Sequence, residues 1–213
     1  MSSPQQFPIA RTAAYLAAPL WAVQALVWTA GPKVQEQAAP YRITNTVLFE
    51  LFWLSVAAAV AFSAVAALAI PTYLRARPTR MVRTGSVLAR IAVGLAGLAA
   101  LSVAVAPAPR LQSAALTVLT NALYGATLLL AISLTLYALA GRTQARSSGV
   151  PALLPAALAA LTVVTIVAIL ASGTASTVGL YFAVTVVVIN GMAWFAWGNA
   201  LAGTRAHPAA AHA

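Results

Sequence analysis

The chain has 213 residues, of which 62% are hydrophobic and only 7% are charged, and its mean hydropathy is +0.90. A soluble domain carries about 25% charged residues, so no water-soluble fold of this size could bury so much apolar surface. The net charge is +10, but the basic residues lie in short segments between apolar runs, where they act as topology signals. We therefore expect an integral membrane protein that binds no nucleic acid.

Few residue types remain for metal binding or covalent chemistry. The chain has no cysteine, and its two histidines, His207 and His212, lie together near the end, which argues against thiolate or imidazole metal sites. It contains neither a P-loop nor a dinucleotide-binding fingerprint. We expect no metal and no cofactor, so any chemistry must use carboxyl, amide, hydroxyl or aromatic groups.

Six apolar runs are long enough to cross the roughly 30 Å hydrocarbon core as helices. They predict an all-α, polytopic transmembrane bundle over residues 1–203, followed by a disordered tail at 204–213. The first run could instead be a leader cleaved near Ala30, although its length and Gln24 favour a retained helix. The predicted helices cover residues 12–30, 45–70, 86–106, 113–140, 152–172 and 176–201.

Positive charge predicts the orientation of these helices. Nine of the twelve basic residues lie on one side of the predicted spans, and short loops rich in Lys and Arg stay in the cytoplasm. Both termini should therefore be cytoplasmic. The alanine- and arginine-rich composition is typical of a bacterial chain, which indicates a multi-pass protein of the plasma membrane in contact with membrane lipids. The oligomeric state is left open. The nine residues are Arg11, Arg75, Arg77, Arg80, Arg83, Arg90, Arg142, Arg146 and Arg205.

Glu50, in the second predicted helix, is the only acid within a span. It lies about 7 to 8 Å from the outer end of that helix; Asn45 opens the helix, and Trp53 shares the face of Glu50. Removal from water favours a protonated carboxyl group, so Glu50 is a candidate proton donor. The alternative is a structural carboxyl group that is hydrogen-bonded to Asn121, Gln24 or a backbone carbonyl.

Later helices carry further polar and aromatic residues. Asn121 and Tyr124 share one face of the fourth helix at the expected depth of Glu50. Asn190, Trp194 and Trp197 form a stripe in the sixth helix, which is either a packing seam with tryptophans near the headgroups or part of a site. Polar side chains inside a bilayer usually face the bundle or a wet cavity.

Small and basic residues have simpler expected roles. Gly94 and Gly97 in the third helix should allow close approach of a neighbour, as should Gly191 and Gly198 in the sixth. Arg90 is expected about one turn inside the cytoplasmic end, where it can reach the headgroups.

The segment with Asn45, Phe49, Glu50 and Trp53 resembles the second-helix pattern of the small integral-membrane terpene cyclases. In that pattern an aromatic residue precedes an acid, and another follows three residues after it. The resemblance implies that Glu50 protonates a polyprenyl alkene or epoxide and that rings close among aromatic side chains that stabilise the carbocation. The match is confined to this segment, and the spacing from Asn45 to Glu50 is one residue longer than in the family.

Under this resemblance Glu50 is the catalytic acid, and Asn121 or Asn190 would orient it. Members of the family have seven helices and a second acid in a late helix, whereas this chain has six predicted helices and offers Asn190 there. Aromatic faces attract cations, which gives the tryptophans and Tyr124 a role in the substrate wall. The candidate substrate-binding residues are Asn45, Trp53, Asn121, Tyr124, Asn190, Trp194 and Trp197.

Three classes of function remain open. The first is a cofactor-free membrane cyclase or isomerase acting on a hydrophobic, isoprenoid-type substrate. The second is a small proton- or cation-coupled transporter or immunity protein with Glu50 as the coupling carboxylate. The third is a non-catalytic membrane subunit or scaffold. The cytoplasmic half offers few polar residues for an ion path, which favours the first and third classes.

Overall fold

A computed structural model of the chain describes residues 6–30, 35–36, 42–43, 46–74, 77–108, 110–144, 150–172 and 177–203. The fold is helical apart from one two-residue antiparallel pairing between β1 and β2. In chain order, the elements are α1 (Gln6–Ala30), β1 (Gln35–Glu36), β2 (Arg42–Ile43), α2 (Thr46–Ala67), α3 (Ile70–Tyr73), α4 (Arg80–Val105), α5 (Gln112–Gln144), α6 (Val150–Ser172) and α7 (Thr177–Gly203).

All six predicted helices are present, and they differ from the prediction mainly at their ends. α2 ends at Ala67 because Pro71, which begins the next turn, lacks an N–H and its ring clashes with the carbonyl four residues earlier. α4 begins at Arg80, before the predicted residue 86, because Thr79 caps it by accepting a hydrogen bond from the Val82 N–H at 3.4 Å. The predicted tail at 204–213 lies outside the described residues.

The six long helices form a closed ring. α1 packs between α7 and α2, and the ring continues through α4, α5 and α6 back to α7, while α2 also contacts α5 across the ring. Neighbours run antiparallel: Tyr15 in α1 donates a hydrogen bond to Asn199 in α7 at 2.8 Å, whereas the later Ala18 lies against the earlier Gly191. The start of α1 and the end of α7 therefore lie at the same end of the bundle.

Small side chains fill the inside of the ring, and large apolar side chains cover the outside. More than half of the buried apolar residues that the structure describes are alanine. Leu101, Val47 and Met192 are, by contrast, about seven-tenths exposed (71%, 73% and 67%). Alanine interiors let helices approach closely, as in membrane bundles, and a soluble monomer rarely exposes so much contiguous apolar surface.

Four helical segments among the described residues are long and apolar enough to cross a membrane. In α6, the apolar segment found within the described residues is shorter, Pro155–Thr165. The four segments are Thr46–Tyr73, Arg80–Val105, Gln112–Gly141 and Val184–Ala202.

The glycines that allow close packing lie in α7, as expected, but not in the middle of α4. A Cβ atom on Gly191 would lie 2.9 Å from the Ala18 carbonyl oxygen, and one on Gly198 would lie 2.7 Å from the Tyr15 ring. Gly94 and Gly97 are exposed, and nothing lies within 4 Å of where their Cβ atoms would be. The expectation for Gly94 and Gly97 was therefore wrong, because the side of α4 that carries them faces outward.

Arg90 also lies elsewhere than expected. Because α4 begins at Arg80, Arg90 is roughly 15 Å along the helix and not one turn inside it. Its side chain is exposed.

Candidate functional site

Glu50 lies in the second turn of α2, at the border between an outward-facing stripe and a packed aromatic face. Val47, Leu51 and Leu54 are exposed to 73%, 48% and 43%, while Glu50 itself is half-buried. Trp53, three residues later on the same side, is also half-buried. Glu50 is therefore partly exposed at the outer apolar surface, and Trp53 lies on the same side of α2.

Three aromatic rings surround this turn of α2. Phe49 is fully buried in a cluster with residues of α4 and α5, including Val103 and Leu119. The Phe49 and Trp53 ring centroids are 6.4 Å apart, and Phe52 meets Trp53 edge to face at 5.0 Å and 77°. Edge-to-face pairs stabilise beyond the area they bury, by about 0.5 to 1.5 kcal/mol. This packing fixes the rings beside Glu50.

Asn121 and Tyr124 do not reach Glu50. On α5, the side that packs toward α2 carries Leu119 and Ala122, which share the buried cluster with Phe49. Asn121 and Tyr124 lie on the opposite side and are exposed, Tyr124 to 39%. The helix turns about 100° per residue, so these two side chains point away from α2.

The tryptophans of α7 also lie far from Glu50. Trp197 donates its indole N–H to the Ala66 carbonyl oxygen at 3.2 Å, and its ring meets Tyr73 edge to face at 4.9 Å. Ala66 follows Glu50 by sixteen residues, which is roughly 24 Å along α2. The expected substrate-binding residues therefore do not form one group: Trp53 lies near one end of the bundle, Asn190 at the middle of α7 and Trp197 toward the other end. Asn45 lies outside the described residues.

Asn190 and Trp194 form a second unusual feature, in the interior. Both are fully buried, and among the described residues neither the Asn190 amide nor the Trp194 Nε1 has a hydrogen-bond partner. An unpaired buried polar group costs about 1 to 3 kcal/mol. The expected packing seam is present, and Trp194 and Trp197 lie in the main core, so neither ring faces the surroundings of the bundle.

A buried polar contact between α1 and α2 was not predicted from the sequence. Trp21 and Ser63 are both buried, and the Trp21 indole N–H donates to Ser63 Oγ at 3.2 Å. A tryptophan in the middle of an apolar run needs an acceptor in a neighbouring helix, which is the signal that could have indicated such a pair. The sequence does not say which serine supplies it.

Two open apolar grooves lie elsewhere on the bundle. One, of about 440 Å³, lies between α5 and α6 and is lined by Ala138, Ala159 and their neighbours. The other, of about 350 Å³, lies between α1 and α2 beside Leu16 and Phe62. Neither groove includes Glu50. Within the described residues, no group of three His, Cys, Asp or Glu side chains could hold a metal ion.

Comparison with known proteins gives no relative for this chain. No family model matches it, and neither a curated protein nor a solved structure is significantly similar. The fold defines a polytopic helical protein with four segments able to span a membrane. Any more specific function must be argued from the residues around Glu50.

Proposed function

We propose that the chain is a six-span protein of the bacterial plasma membrane, with cytoplasmic termini, that cyclises or isomerises an isoprenoid-type lipid using Glu50 as a general acid. One observation carries this proposal. Glu50 lies between the exposed Val47, Leu51 and Leu54 stripe and the Trp53 ring. A substrate dissolved in the bilayer would therefore reach the carboxyl group sideways, from the lipid.

The six-span arrangement is supported by helix length and by charge. α1 and α6 have 25 and 23 residues, about 37 and 34 Å at the helical rise, which exceeds the hydrocarbon core. Arg77 precedes α4, and Arg80 and Arg83 belong to its first residues, whereas Arg110 lies beyond the other end of that helix. The positive-inside tendency assigns the arginine-rich end to the cytoplasm.

The proposed reaction needs no cofactor and conserves mass. The protonated Glu50 carboxyl group gives its proton to one carbon of an alkene, which forms a C–H bond and leaves a carbocation on the other carbon. A second alkene of the same chain supplies an electron pair, which forms the ring C–C bond. The neighbouring carbon then loses a proton to the Glu50 carboxylate, which forms a new alkene and restores the carboxylic acid. The product is therefore an isomer of the substrate.

We assign the stabilisation of this cation to the aromatic rings nearest to Glu50 along α2. Trp53 is half-buried on the same side of α2 as Glu50, and Phe52 packs edge to face against the Trp53 ring at 5.0 Å. Aromatic faces attract cations by about 0.5 to 2 kcal/mol. Trp194 and Trp197 are too distant to take part. We therefore restrict the cation-stabilising wall to Phe52 and Trp53.

A transport function has less support along α2. Beyond Glu50 the helix has only two hydroxyl side chains, Ser55 and Ser63. Ser55 Oγ donates to the Phe52 carbonyl at 2.7 Å, and Ser63 Oγ accepts from Trp21. Neither continues a proton path from Glu50 to the arginine-rich end.

A non-catalytic scaffold is the second candidate, and the dense interior favours it. The α1 and α7 backbones approach so closely that Gly191 and Gly198 have no room for a Cβ atom. Such packing suits a protein whose task is to present a fixed surface. The two candidate functions differ in one requirement: the enzyme needs Glu50 as a proton donor, and the scaffold does not.

The decisive experiment compares Glu50→Gln with Glu36→Gln, which removes the only other acid of the chain. Purified protein in nanodiscs would be incubated with polyprenyl alcohols, polyprenyl quinones and their epoxides, and isomeric products of unchanged mass would be sought by chromatography and mass spectrometry. We expect product from the native chain and from Glu36→Gln, and none from Glu50→Gln.

Thermal unfolding of the same samples provides the control. Glu50→Gln keeps the shape of the side chain, so we expect an unchanged unfolding midpoint. Product formation by folded Glu50→Gln would rule out the acid role. Absence of product from the native chain on every substrate, with a lowered midpoint for Glu50→Gln, would favour the scaffold.

A further inference from the structure

Asn190 and Trp194 are two buried polar side chains one turn apart on α7. Residues four apart in a helix lie on the same face, so the unmet hydrogen bonds of the two side chains are close together. Three atoms lack a partner in the described part of the chain: Asn190 Nδ2, Asn190 Oδ1 and Trp194 Nε1.

The other fully buried tryptophans described have acceptors. Trp21 donates to Ser63 Oγ, and Trp197 donates to the Ala66 carbonyl oxygen, each at 3.2 Å. Both acceptors belong to α2. Trp194 is the exception, although it lies less than one turn from Trp197. The lack of an acceptor is therefore specific to Trp194 and is not shared by the other two buried tryptophans.

The missing partner is chiefly a hydrogen-bond acceptor. The Asn190 amide nitrogen carries two hydrogens and the Trp194 indole one, whereas only one carbonyl oxygen is present to accept. An oxygen atom with lone pairs can accept from both nitrogens, and a hydroxyl group or water can also donate to Asn190 Oδ1. α7 carries no charged side chain, so an anion there would lack a counter-charge on that helix, which favours a neutral oxygen.

The side of α7 that carries Asn190 and Trp194 faces the middle of the helix ring. Val187 and Leu201, on the same side of α7, pack in the main core with Leu130 of α5 and Leu158 of α6. The seam with α1 is formed instead by Gly191 and Gly198. All three unpaired atoms are shielded from solvent, so a bound oxygen requires a small displacement of α7 from its neighbours.

We propose that Asn190 and Trp194 form an internal binding site for a neutral oxygen atom, supplied by a buried water molecule or by the hydroxyl or carbonyl group of a small ligand. The site is separate from Glu50, and it does not depend on the proposed cyclisation. Buried waters typically make about three hydrogen bonds to groups that are otherwise unpaired, which is the number of atoms available here.

The sign of a stability change tests whether the site is filled. Asn190→Leu replaces the amide with an apolar group of similar size. If the site is empty, this substitution removes unpaired polar atoms and raises the unfolding midpoint. If an oxygen is bound, the substitution removes hydrogen bonds to it and lowers the midpoint, which is the result we expect. Asn121→Leu, at an exposed position, is the matched control and should have little effect.

Trp194→Phe gives a second test that keeps most of the ring volume. We expect it also to lower the midpoint, and its effect should not add to that of Asn190→Leu because both contact the same oxygen. Raised or unchanged midpoints for both variants would overturn the proposal.

Nitrogen-15 NMR of the tryptophan side chains tests the native chain directly. The Trp194 signal is the one that Trp194→Phe removes. We expect the chemical shift of the Trp194 N–H proton to be that of a hydrogen-bonded indole. If water is bound, this proton should give a cross-peak to water. If a ligand is bound, organic extraction should release an oxygen-bearing molecule that mass spectrometry detects, and the chemical shift should change. The first result identifies water and the second a ligand. The proposal is overturned if the Trp194 N–H proton has the chemical shift of a free indole and neither a water cross-peak nor an extracted ligand is found.

Discussion

Trp21 of α1 donates its indole N–H to Ser63 Oγ of α2 across 3.2 Å, with both side chains buried. The residues are 42 positions apart in the chain, and apolar side chains surround them. The bond therefore fixes the relative height of two antiparallel helices at one point. Such contacts are informative in this bundle because its alanine-rich faces offer few other features that select one register.

Ser63→Ala should destabilise the protein by about 1 kcal/mol, the size typical of interhelical hydrogen bonds in membrane proteins. The substitution leaves the Trp21 N–H without its acceptor in a buried position. Reversible unfolding in mixed micelles measures the change. Ser55→Ala is the control, because Ser55 Oγ bonds to the Phe52 carbonyl of its own helix. Equal effects of the two substitutions would show that the Trp21 contact contributes nothing specific.

Gly191→Ala should destabilise the bundle, and Gly94→Ala should not. A Cβ atom at residue 191 would lie 2.9 Å from the Ala18 backbone oxygen, which cannot move without shifting α1, and overpacking of this kind costs about 1 to 3 kcal/mol. At Gly94 the space is open, and alanine favours a helix over glycine by up to about 1 kcal/mol. Unfolding midpoints measure both; a tolerated alanine at 191 would contradict the close α1 and α7 contact.

Single cysteines should report the orientation of the bundle, since the native chain has none. Met81 and Ser113 are exposed near the starts of α4 and α5, at opposite ends of the bundle. A membrane-impermeant maleimide should label Ser113→Cys in intact cells and Met81→Cys only after permeabilisation. The reverse pattern would invert the proposed topology, and labelling of both from outside would contradict a membrane span between them.

Trp53→Leu should lower the rate of the proposed cyclisation by about twofold to thirtyfold, the kinetic equivalent of one lost cation–π contact. Trp197→Phe should lower stability, because it loses the bond to Ala66, but it should leave the rate per folded molecule unchanged. Initial rates normalised to folded protein separate the two effects. If Trp197→Phe alone lowered the rate, the aromatic residues that stabilise the cation would have to lie at the other end of the bundle.

The number and approximate positions of the helices could be predicted from the sequence, because long apolar runs leave few alternatives inside or outside a membrane. Even the end of α2 has a local cause in Pro71. The side that each helix presents to its neighbours could not be predicted. Every span is apolar all round, so the usual periodicity of a surface helix is missing. The sequence is therefore equally compatible with an Asn121 side chain that contacts Glu50 and with one that faces outward.

The placement of Glu50 and Trp53 on one side of α2 follows from their spacing, because both residues lie within the helix. The grouping of distant residues does not follow from spacing. Trp197 and Glu50 differ in height by most of the thickness of the bundle, a fact that depends on where each helix begins and on the antiparallel pairing of α1 with both α2 and α7. The hydrogen-bond deficit of Asn190 requires knowledge of every neighbouring side chain, which only the three-dimensional structure gives.

The alanine-rich interior has a consequence for how sequence change would be tolerated. Outer positions such as Leu101 and Met192 meet only the surroundings of the protein, so any apolar side chain that suits a bilayer should be accepted there. Inner positions such as Ala59 and Ala96 are completely enclosed, and one added methylene has nowhere to go. Enlarging an interior alanine should therefore be tolerated less well than exchanging an outer leucine or methionine for another apolar residue.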